Sequence, residues 1–327
     1  MNLAPAALRE LVRGIFERNG ISAPHATLIP EVLLCADLRG MGTHGVMRVP
    51  QYVRFIGKGD LNPRPEMRRA QDGPAFVLLD ADRAAGPIAM MEGTRAAREK
   101  ARSAGIGLSL VRQTTHTAAL GYYTQAAARD GFAAIALGTS SPLMAYHGAR
   151  AAGVSTAPLS IAVPGEDEPF ALDMASSMIS MGALAQARRT GKPIPDGVAL
   201  TRDGEPTIDA ATASIPLPLG GPKGSGLGFM FECLASLLAY NPILAESLEG
   251  TPASLHHRQN GLVIAIDIAS FVAPEVFRRE VARLAGDLRQ LPGEEIRMPG
   301  ERGARKAAAQ RESVSIADSV YAELEAL

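Results

Sequence analysis

The sequence predicts an α/β protein in which a mixed sheet, interleaved with helices, is preceded by a smaller helical N-terminal region. Three observations carry this. The 327 residues are 46% hydrophobic, enough to bury a substantial core and long enough for two domains. The opening stretch shows only helical periodicity. From Phe76 onward, short apolar runs alternate with helical segments, the grammar of a sheet covered by helices.

Taken in order, Leu8, Leu11, Val12, Ile15 and Phe16 fall on one face of a first amphipathic helix that Gly20 stops. Ser22 is expected to cap a second helix starting near Pro24. Its pattern, Leu28, Val32, Leu33 and Cys35, contains Pro30, which should kink or restart the helix before Gly40. The composition shift in "PRPEMRRAQDGPA" places a domain boundary near residue 72. Residues 1–72 then form a helical domain and 73–311 a sheet domain, while the segment 312–327, containing "SVSIADSVYAELEAL", returns to the N-terminal helices.

In the second part, "FVLLDA", "IGLSLVR", "FAAIALGT", "LSIAVP", "FALDMA" and "GLVIAIDI" read as strands. The segments "PIAMMEGTRAAREKARSAG", "AALGYYTQAAARDG", "SMISMGALAQARRTG", a stretch from about Gly226 to Ala239, and "APEVFRREVARLAGDLRQLPG" read as helices. "YNPILAESLEGTPASLHHRQN" has no periodicity and is expected to be a long loop.

The formal net charge is −1, with 33 basic and 34 acidic residues spread along the chain, so no electrostatic footprint for nucleic acid or anionic lipid exists and a small-molecule partner is expected. The two cysteines, Cys35 and Cys233, sit in apolar helical stretches and read as buried, inert thiols of a reducing compartment. The N-terminus lacks a basic segment followed by an apolar one, and no apolar run approaches the ~18 to 20 residues of a membrane span, so a cytoplasmic location is expected.

Residues 40–45, "GMGTHG", spell the G-x-G-x-x-G of a dinucleotide loop. That motif needs a preceding strand, a following helix and an acidic residue about 20 positions on. Here a helix precedes it, Pro50 interrupts the downstream segment, and the next acidic residue is Asp60. A plain glycine-rich connector fits the letters better. The loop is set apart by Thr43, His44 and Arg48 within six residues, with Tyr52 one helical turn further. An imidazole can deliver a proton near neutral pH, a hydroxyl can orient it, and a guanidinium can grip a carboxylate with two hydrogen bonds.

Three other clusters stand out. "RQTTHTAALGYY" puts His116 at the end of a predicted strand, where α/β sheets tend to bind ligands, although a lone strand-end histidine is more often structural than catalytic. "GTSSP" offers Ser140 and Ser141 to a ribose or phosphate, or is simply a turn. "LGGPKGSGLGF" leads a lysine, Lys223, into a helix N-terminus, which favours an anion but also reads as an ordinary cap. No cluster has metal-ligand spacing, and His256 and His257 read as solvated polar residues.

Together the strings "ADLRGMGTHGVMRVPQYV", "HTAALGYY", "TSSP", "HGAR", "PFALDMASS", "GKPIPDGVALTRDGEPTID", "PLGGPKGSGLGFMFECLAS" and "MPGERGAR" resemble, in order and over nearly the whole chain, the malate/L-lactate dehydrogenase-like oxidoreductases. That family includes ureidoglycolate and sulfolactate enzymes and the Δ1-pyrroline-2-carboxylate/Δ1-piperideine-2-carboxylate reductases. The resemblance implies a non-Rossmann NAD(P)-binding fold, a homodimer with its active sites between domains, and hydride transfer to or from a small carboxylate substrate. It implies His44 as proton donor with Thr43 as its relay, and Arg48, with Tyr52 and Thr156, on the substrate. His116 falls where the family has a second histidine, an acid/base in one branch and a cofactor-lining group in the other, so which histidine gives the proton stays open. Ala118, Ala119, Leu120, Ser140, Asp173, Met174, Ala175, Lys223, Gly300, Glu301 and Arg302 are implied to hold NADP or NAD, with Arg302 and Arg305 favouring NADP.

The chain departs from the family pattern at several places. Thr43 stands for Ser, Thr115 for Asn or His, Thr117 for an aromatic residue, Ala157 for Asn, and Pro222 for His. "AAL", "HGAR" and "MPGER" resemble the cyclic imino-acid reductase branch. The expected activity is therefore reduction of Δ1-pyrroline-2-carboxylate or Δ1-piperideine-2-carboxylate, with a 2-hydroxy acid dehydrogenase as the alternative. A homologue that binds nucleotide or metabolite without turnover is the reading of another class.

Overall fold

The computed structural model describes residues 1–250 and 257–327. After a short strand, β1 (Asn2–Leu3), come helices α1 (Pro5–Arg18) and α2 (Ala23–Leu38). Leu8, Val12, Ile15 and Phe16 are buried, as their spacing predicts. Ser22 holds the N-cap position of α2 in extended conformation, but its side chain makes no capping hydrogen bond. The helix also runs through Pro30 without a restart. Its residues are buried nearly all round, including Ile29, Val32, Leu33, Leu34 and Ala36, and that packing offsets the ~3 kcal/mol an internal proline costs. Two single 3-10 turns, Gly42–His44 and Val46–Arg48, lead into α3 (Val49–Lys58). Pro50 lies in the first turn of α3 and so starts this helix instead of interrupting it.

The sheet region follows as β2 (Arg68–Asp72), β3 (Phe76–Asp80), α4 (Gly86–Ala104), β4 (Ile106–Thr114), α5 (Gly121–Arg129) and β5 (Phe132–Thr139). A small hairpin, β6 (Met144–Ala145) and β7 (Ala152–Val154), precedes β8 (Leu159–Val163), β9 (Phe170–Met174) and α6 (Met181–Thr190). A second hairpin, β10 (Ala199–Thr201) and β11 (Ala213–Pro216), precedes α7 (Pro222–Phe231), which continues as a π-helix over Glu232–Leu237. The chain ends with α8 (Leu244–Leu248), β12 (Gln259–Asp267), α9 (Pro274–Arg289), α10 (Glu301–Ala309), β13 (Val314–Ser315) and α11 (Asp318–Glu325).

Three expected elements differ in detail. The helix expected from Ala118 begins at Gly121, because Ala118 is left-handed at φ 55°. The helix expected from Gly226 begins at Pro222 and widens to a π-helix after Phe231. The expected long loop holds α8, and its residues 251–256, His256 among them, lie outside the described residues. The two cysteines are half-buried, and burial pushes the Cys35 thiol upward. No helix among the described residues is long and apolar enough to cross a membrane.

Seven strands form one sheet in the order β2-β3-β4-β12-β5-β8-β9, with only β3 and β4 parallel. β2 pairs with β3, so the sheet begins on the helical side of the composition shift. β13 pairs with β1, and Leu324 of α11 enters the same core as α1, α2, α4, α5 and the inner sheet face. That inner face is lined by small residues such as Ser109, Ala134, Ala136, Ala162 and Ala265, which let α4 and α5 approach closely. A side chain at Gly107 would stand 2.0 Å from the Ala97 carbonyl of α4.

The outer face carries large side chains instead. One row, Leu78, Leu110, Leu262 and Leu137, is covered by Phe231 of α7, Ala235 of the π-helix and Ala239 of the turn that follows it. The adjacent row runs in register across six strands as Phe76, Leu108, Ile264, Ile135, Ile161 and Leu172. Phe76, Ile161 and Leu172 are 39%, 37% and 39% exposed, so this row is only partly covered within one chain.

Candidate active site

α2 ends at Leu38, and the two 3-10 turns fold the loop 42–48 back over its last turn. Thr43 Oγ1 lies 3.2 Å from His44 Nδ1, which leaves Nε2 as the nitrogen available for chemistry. Arg48 Nε donates to the Thr43 carbonyl at 2.6 Å and Nη1 to Gln51 Oε1 at 3.1 Å, fixing the guanidinium in place. Nη2 has no protein partner among the described residues. The methyl group that Thr43 adds over serine is accommodated by Gly182 of α6, where a Cβ would come within 2.3 Å of the Thr43 side chain.

The second histidine sits on the segment leaving β4. Gln113 (φ 59°) and Ala118 (φ 55°) bend this segment out of the sheet on either side of His116. It is tied down by the Thr117 N–H donating to Gln259 Oε1 at 3.1 Å and by the Tyr123 hydroxyl donating to the Thr117 carbonyl at 2.7 Å. The Tyr52 hydroxyl, wholly buried on α3, donates to the His116 carbonyl at 2.8 Å and lies 3.0 Å from His116 Nδ1. With that hydroxyl hydrogen on the carbonyl, Nδ1–H donates to the tyrosine oxygen and Nε2 keeps its lone pair. The His44 and His116 rings stack with centroids 5.8 Å apart.

The electrostatics keep both rings neutral at pH 7. Burial, and then the neighbouring Arg48 charge, push His44 down to about 4. Burial, Arg48 and His44 hold His116 well below the usual range. Burial also lowers Arg48 and raises Tyr52. Two carboxyl groups move the other way: burial lifts Asp37 to about 7 and Asp173 to about 6, opposed in each by one backbone hydrogen bond, from Val46 and Gly121 respectively.

These groups border a cavity of about 870 Å³, toward the upper end of the ~300–1,000 Å³ typical of ligand pockets. Its walls include Thr43, His44, Arg48, His116, Ala118, Ala119, Leu120, Ser140, Thr156, Asp173, Met174, Ala175 and Arg302. Other predicted residues lie elsewhere. Tyr52 stands behind His116 and does not reach the cavity. Lys223 is exposed at the start of α7, away from it. The Gly300 carbonyl accepts from Arg39 at 3.2 Å, while Glu301 pairs with Arg289 and accepts the Met298 N–H, so of the "PGER" turn only Arg302 faces the cavity. Arg305 is paired with Glu295 at 2.6 Å. His257 is exposed and stacks on Phe55, with ring centroids 4.2 Å apart.

Sequence reasoning missed Asp37, Gly182 and Gln259. Only Asp37 left a signal: a carboxylate in the last turn of a helix faces the negative end of the helix dipole, so something local must favour it there. Gly182 and Gln259 act through fit and a backbone contact, which no spacing rule announces.

A family profile described as malate/L-lactate dehydrogenase matches residues 3–325. The ureidoglycolate dehydrogenase (NAD(+)) of Escherichia coli K12 is 32% identical over 329 residues, covering 98% of this chain and 94% of the relative. The Δ1-pyrroline-2-carboxylate/Δ1-piperideine-2-carboxylate reductase of Pseudomonas putida is 31% identical over 321 residues, covering 95% and 92%. The solved sulfolactate dehydrogenase of Methanocaldococcus jannaschii superposes with a TM-score of 0.90 at 30% identity, covering 100% of this chain and 96% of that one.

Proposed function

The chain belongs to the malate/L-lactate dehydrogenase family of NAD(P)-dependent oxidoreductases, and from that membership we propose that it reduces a cyclic imino acid, Δ1-pyrroline-2-carboxylate or Δ1-piperideine-2-carboxylate. The observation that carries this reading is Arg48, fixed by Thr43 and Gln51 with Nη2 left for a carboxylate, beside a histidine whose Nε2 is unencumbered.

The residues of the cavity fit NAD(P). Ala118, Ala119, Gly138 and Ala175 give a low-relief wall for a planar ring, Thr139 and Ser140 offer hydroxyls to a ribose or amide, and Arg189 and Arg302 are cations for phosphates. When bound, the reduced cofactor supplies the hydride. Arg48 would hold the substrate carboxylate by charge-assisted hydrogen bonds and so present C2 to the ring. His44 would give its Nε2 proton to the imine nitrogen, making an iminium that accepts hydride more readily, a contribution of about 10² to 10⁴ in rate. His44 is neutral in the free site. A substrate carboxylate on Arg48 offsets the smaller of the two causes that depress His44, burial being the larger, and so eases its protonation once substrate binds. Tyr52 orients His116 from behind.

A neutral His44 favours a second reading, oxidation of a 2-hydroxy acid, because an imidazole already deprotonated at pH 7 is ready to act as a base. The half-covered outer row from Phe76 to Leu172 supports a homodimer in which a second copy covers it.

The test is an assay of the purified protein, its dimer state checked by sedimentation, with NADPH and NADH against both imines, pyruvate, oxaloacetate and ureidoglycolate. Imine-dependent loss of the 340 nm absorbance is expected. Turnover of the linear acids alone would move the conclusion to the second reading, and no turnover with any would overturn both.

A further inference from the structure

The strand that carries the chain toward His116 leaves the sheet at an irregularity. β4 and β12 pair Thr114 with Gln259 and Val111 with Gly261, so Arg112 and Gln113 together stand opposite the single residue Asn260. This is a β-bulge, a device that re-aims the strand beyond it. Gln113 is left-handed there, and its N–H donates to the Asn260 side chain at Oδ1, 3.2 Å away.

Beyond His116 the same segment is held again. The Thr117 N–H donates to Gln259 Oε1 at 3.1 Å, and the Thr117 hydroxyl donates to the same oxygen at 3.3 Å. Two consecutive residues of β12 therefore grip the segment on either side of the histidine. A Cβ at Gly86 would stand 2.1 Å from the His116 carbonyl, so the start of α4 packs directly against this backbone. Left-handed backbone at Gln113 and Ala118 is disfavoured for residues with a side chain, so the segment keeps its shape only where its surroundings over-determine it.

Asn260 is fully buried and uses its whole hydrogen-bonding capacity. Besides Gln113, Oδ1 accepts from Asn241 Nδ2 at 2.6 Å, while Nδ2 donates to the Asn241 carbonyl at 2.8 Å and to Ser236 Oγ at 3.0 Å. Its backbone partners, an N–H on one atom and a carbonyl on the other, fix which way the amide points; turned over, it would face a donor with a donor.

Ser236 belongs to the π-helix, and its Oγ meets Thr139 Oγ1 at 2.8 Å. With Asn260 donating to the serine oxygen, the serine hydrogen goes to Thr139. The Thr139 hydrogen is then left for the Asn260 carbonyl at 3.5 Å or for a ligand in the cavity that Thr139 borders.

We propose that Asn260 and Gln259 are positioning residues: they fix His116 at the cavity and, through Ser236, the Thr139 hydroxyl, so that the histidine and the cofactor surface keep one spacing. Both act through the groups they hold. The inference rests on His116 belonging to the working site, which the reduction and oxidation readings share.

The test reads the Cε1 resonance of His116 by NMR in isotope-labelled protein, the line being identified by its loss in His116→Gln. In Asn260→Ala that line should move or broaden, while the line of His25, on α2 and outside the cavity, stays in place. A misplacement of about 1 Å can cost on the order of 10²-fold, so kcat should fall at least roughly tenfold while KM stays within about threefold. Gln259→Met leaves the buried network intact and releases only Thr117; the same line should move, with a smaller fall in kcat. Ser236→Ala keeps both holds on the segment and releases Thr139, so the His116 line should stay while cofactor binding weakens roughly two- to tenfold in a fluorescence titration, the worth of one hydrogen bond.

An unmoved His116 line in Asn260→Ala and Gln259→Met would overturn the proposal, even with a lowered Tm, because a purely structural pair would cost stability and leave the histidine where it is. A moved line with wild-type kcat would overturn it too, since His116 would then work equally well unheld. Unchanged cofactor binding in Ser236→Ala would remove the link to Thr139. Should Asn260→Ala fail to fold, Gln259→Met decides on the same two readouts. If the wild-type protein turned over none of the substrates, the proposed function would fall while the His116 line still decided the two positioning residues.

Discussion

The wall of the cavity built from residues 42–48 and the wall built from the ends of β4, β5, β8 and β9 use different materials. The first carries His44 and Arg48, held by side-chain and backbone hydrogen bonds on a loop that folds over Asp37. The second presents Ala118, Ala119, Gly138, Thr139, Thr156, Pro158 and Ala175, with Asp173 as its strongly shifted acid. One wall carries His44 and the carboxylate anchor Arg48, and the other, His116 and Asp173 apart, is made of small side chains that can lie against a flat ring. Changes to the first should therefore appear in kcat, and changes to the second in cofactor affinity.

The sharpest way to break that division is His44→Gln. Glutamine keeps a hydrogen-bonding side chain of similar length but cannot supply a proton, so kcat should fall by about 10² to 10⁴ with cofactor affinity unchanged. His257→Ala, outside the cavity, is the control and should leave kcat within about twofold, since exposed substitutions away from special features cost little. Equal losses in steady-state assays of the two variants would remove His44 from its role.

On the opposite wall, Ala119→Val should do the reverse. Ala119 is 6% exposed and borders the cavity, so two added methyl groups intrude where the ring would lie. Overpacking of this kind costs about 1 to 3 kcal/mol, which predicts cofactor affinity weaker by roughly 5- to 150-fold in a fluorescence titration. Saturating cofactor should restore kcat. A variant with normal affinity and low kcat would show that this wall does more than supply a surface.

The same contrast explains what could be read from the sequence. Thr43, His44 and Arg48 were legible because proton and carboxylate chemistry demands particular residue types. The strands were legible because large outer-face residues such as Leu108, Ile135 and Ile264 alternate with small inner ones. Gly182 making room for Thr43, Gln259 holding Thr117, and Tyr52 lying behind His116 depend on how distant segments meet, and no local pattern encodes that. The start of α5 differs from its sequence pattern for a related reason: Ala118 and Ala119 favour a helix, but the loop that places His116 holds Ala118 left-handed.

The smallest expected effect concerns Ala157, which lies between the cavity-lining Thr156 and Pro158 of the second wall. Ala157 is fully buried at φ 40°, a conformation that asparagine and glycine adopt more readily than alanine. Its N–H is tied to Ser155 Oγ at 3.0 Å, and it packs in the cluster containing Phe231 and Ala235. Replacing it with glycine relieves about 1 to 2 kcal/mol of left-handed strain. Against this stand about 0.8 kcal/mol for the lost buried methyl group and about 0.4 to 1 kcal/mol of added unfolded-chain entropy. The terms nearly cancel, so Tm for Ala157→Gly should move by less than about 2 °C, with kcat unchanged. A rise of several degrees would mean that strain dominates and that alanine weakens this turn. Near-equality would mean that packing holds the turn in its shape whichever small residue occupies it.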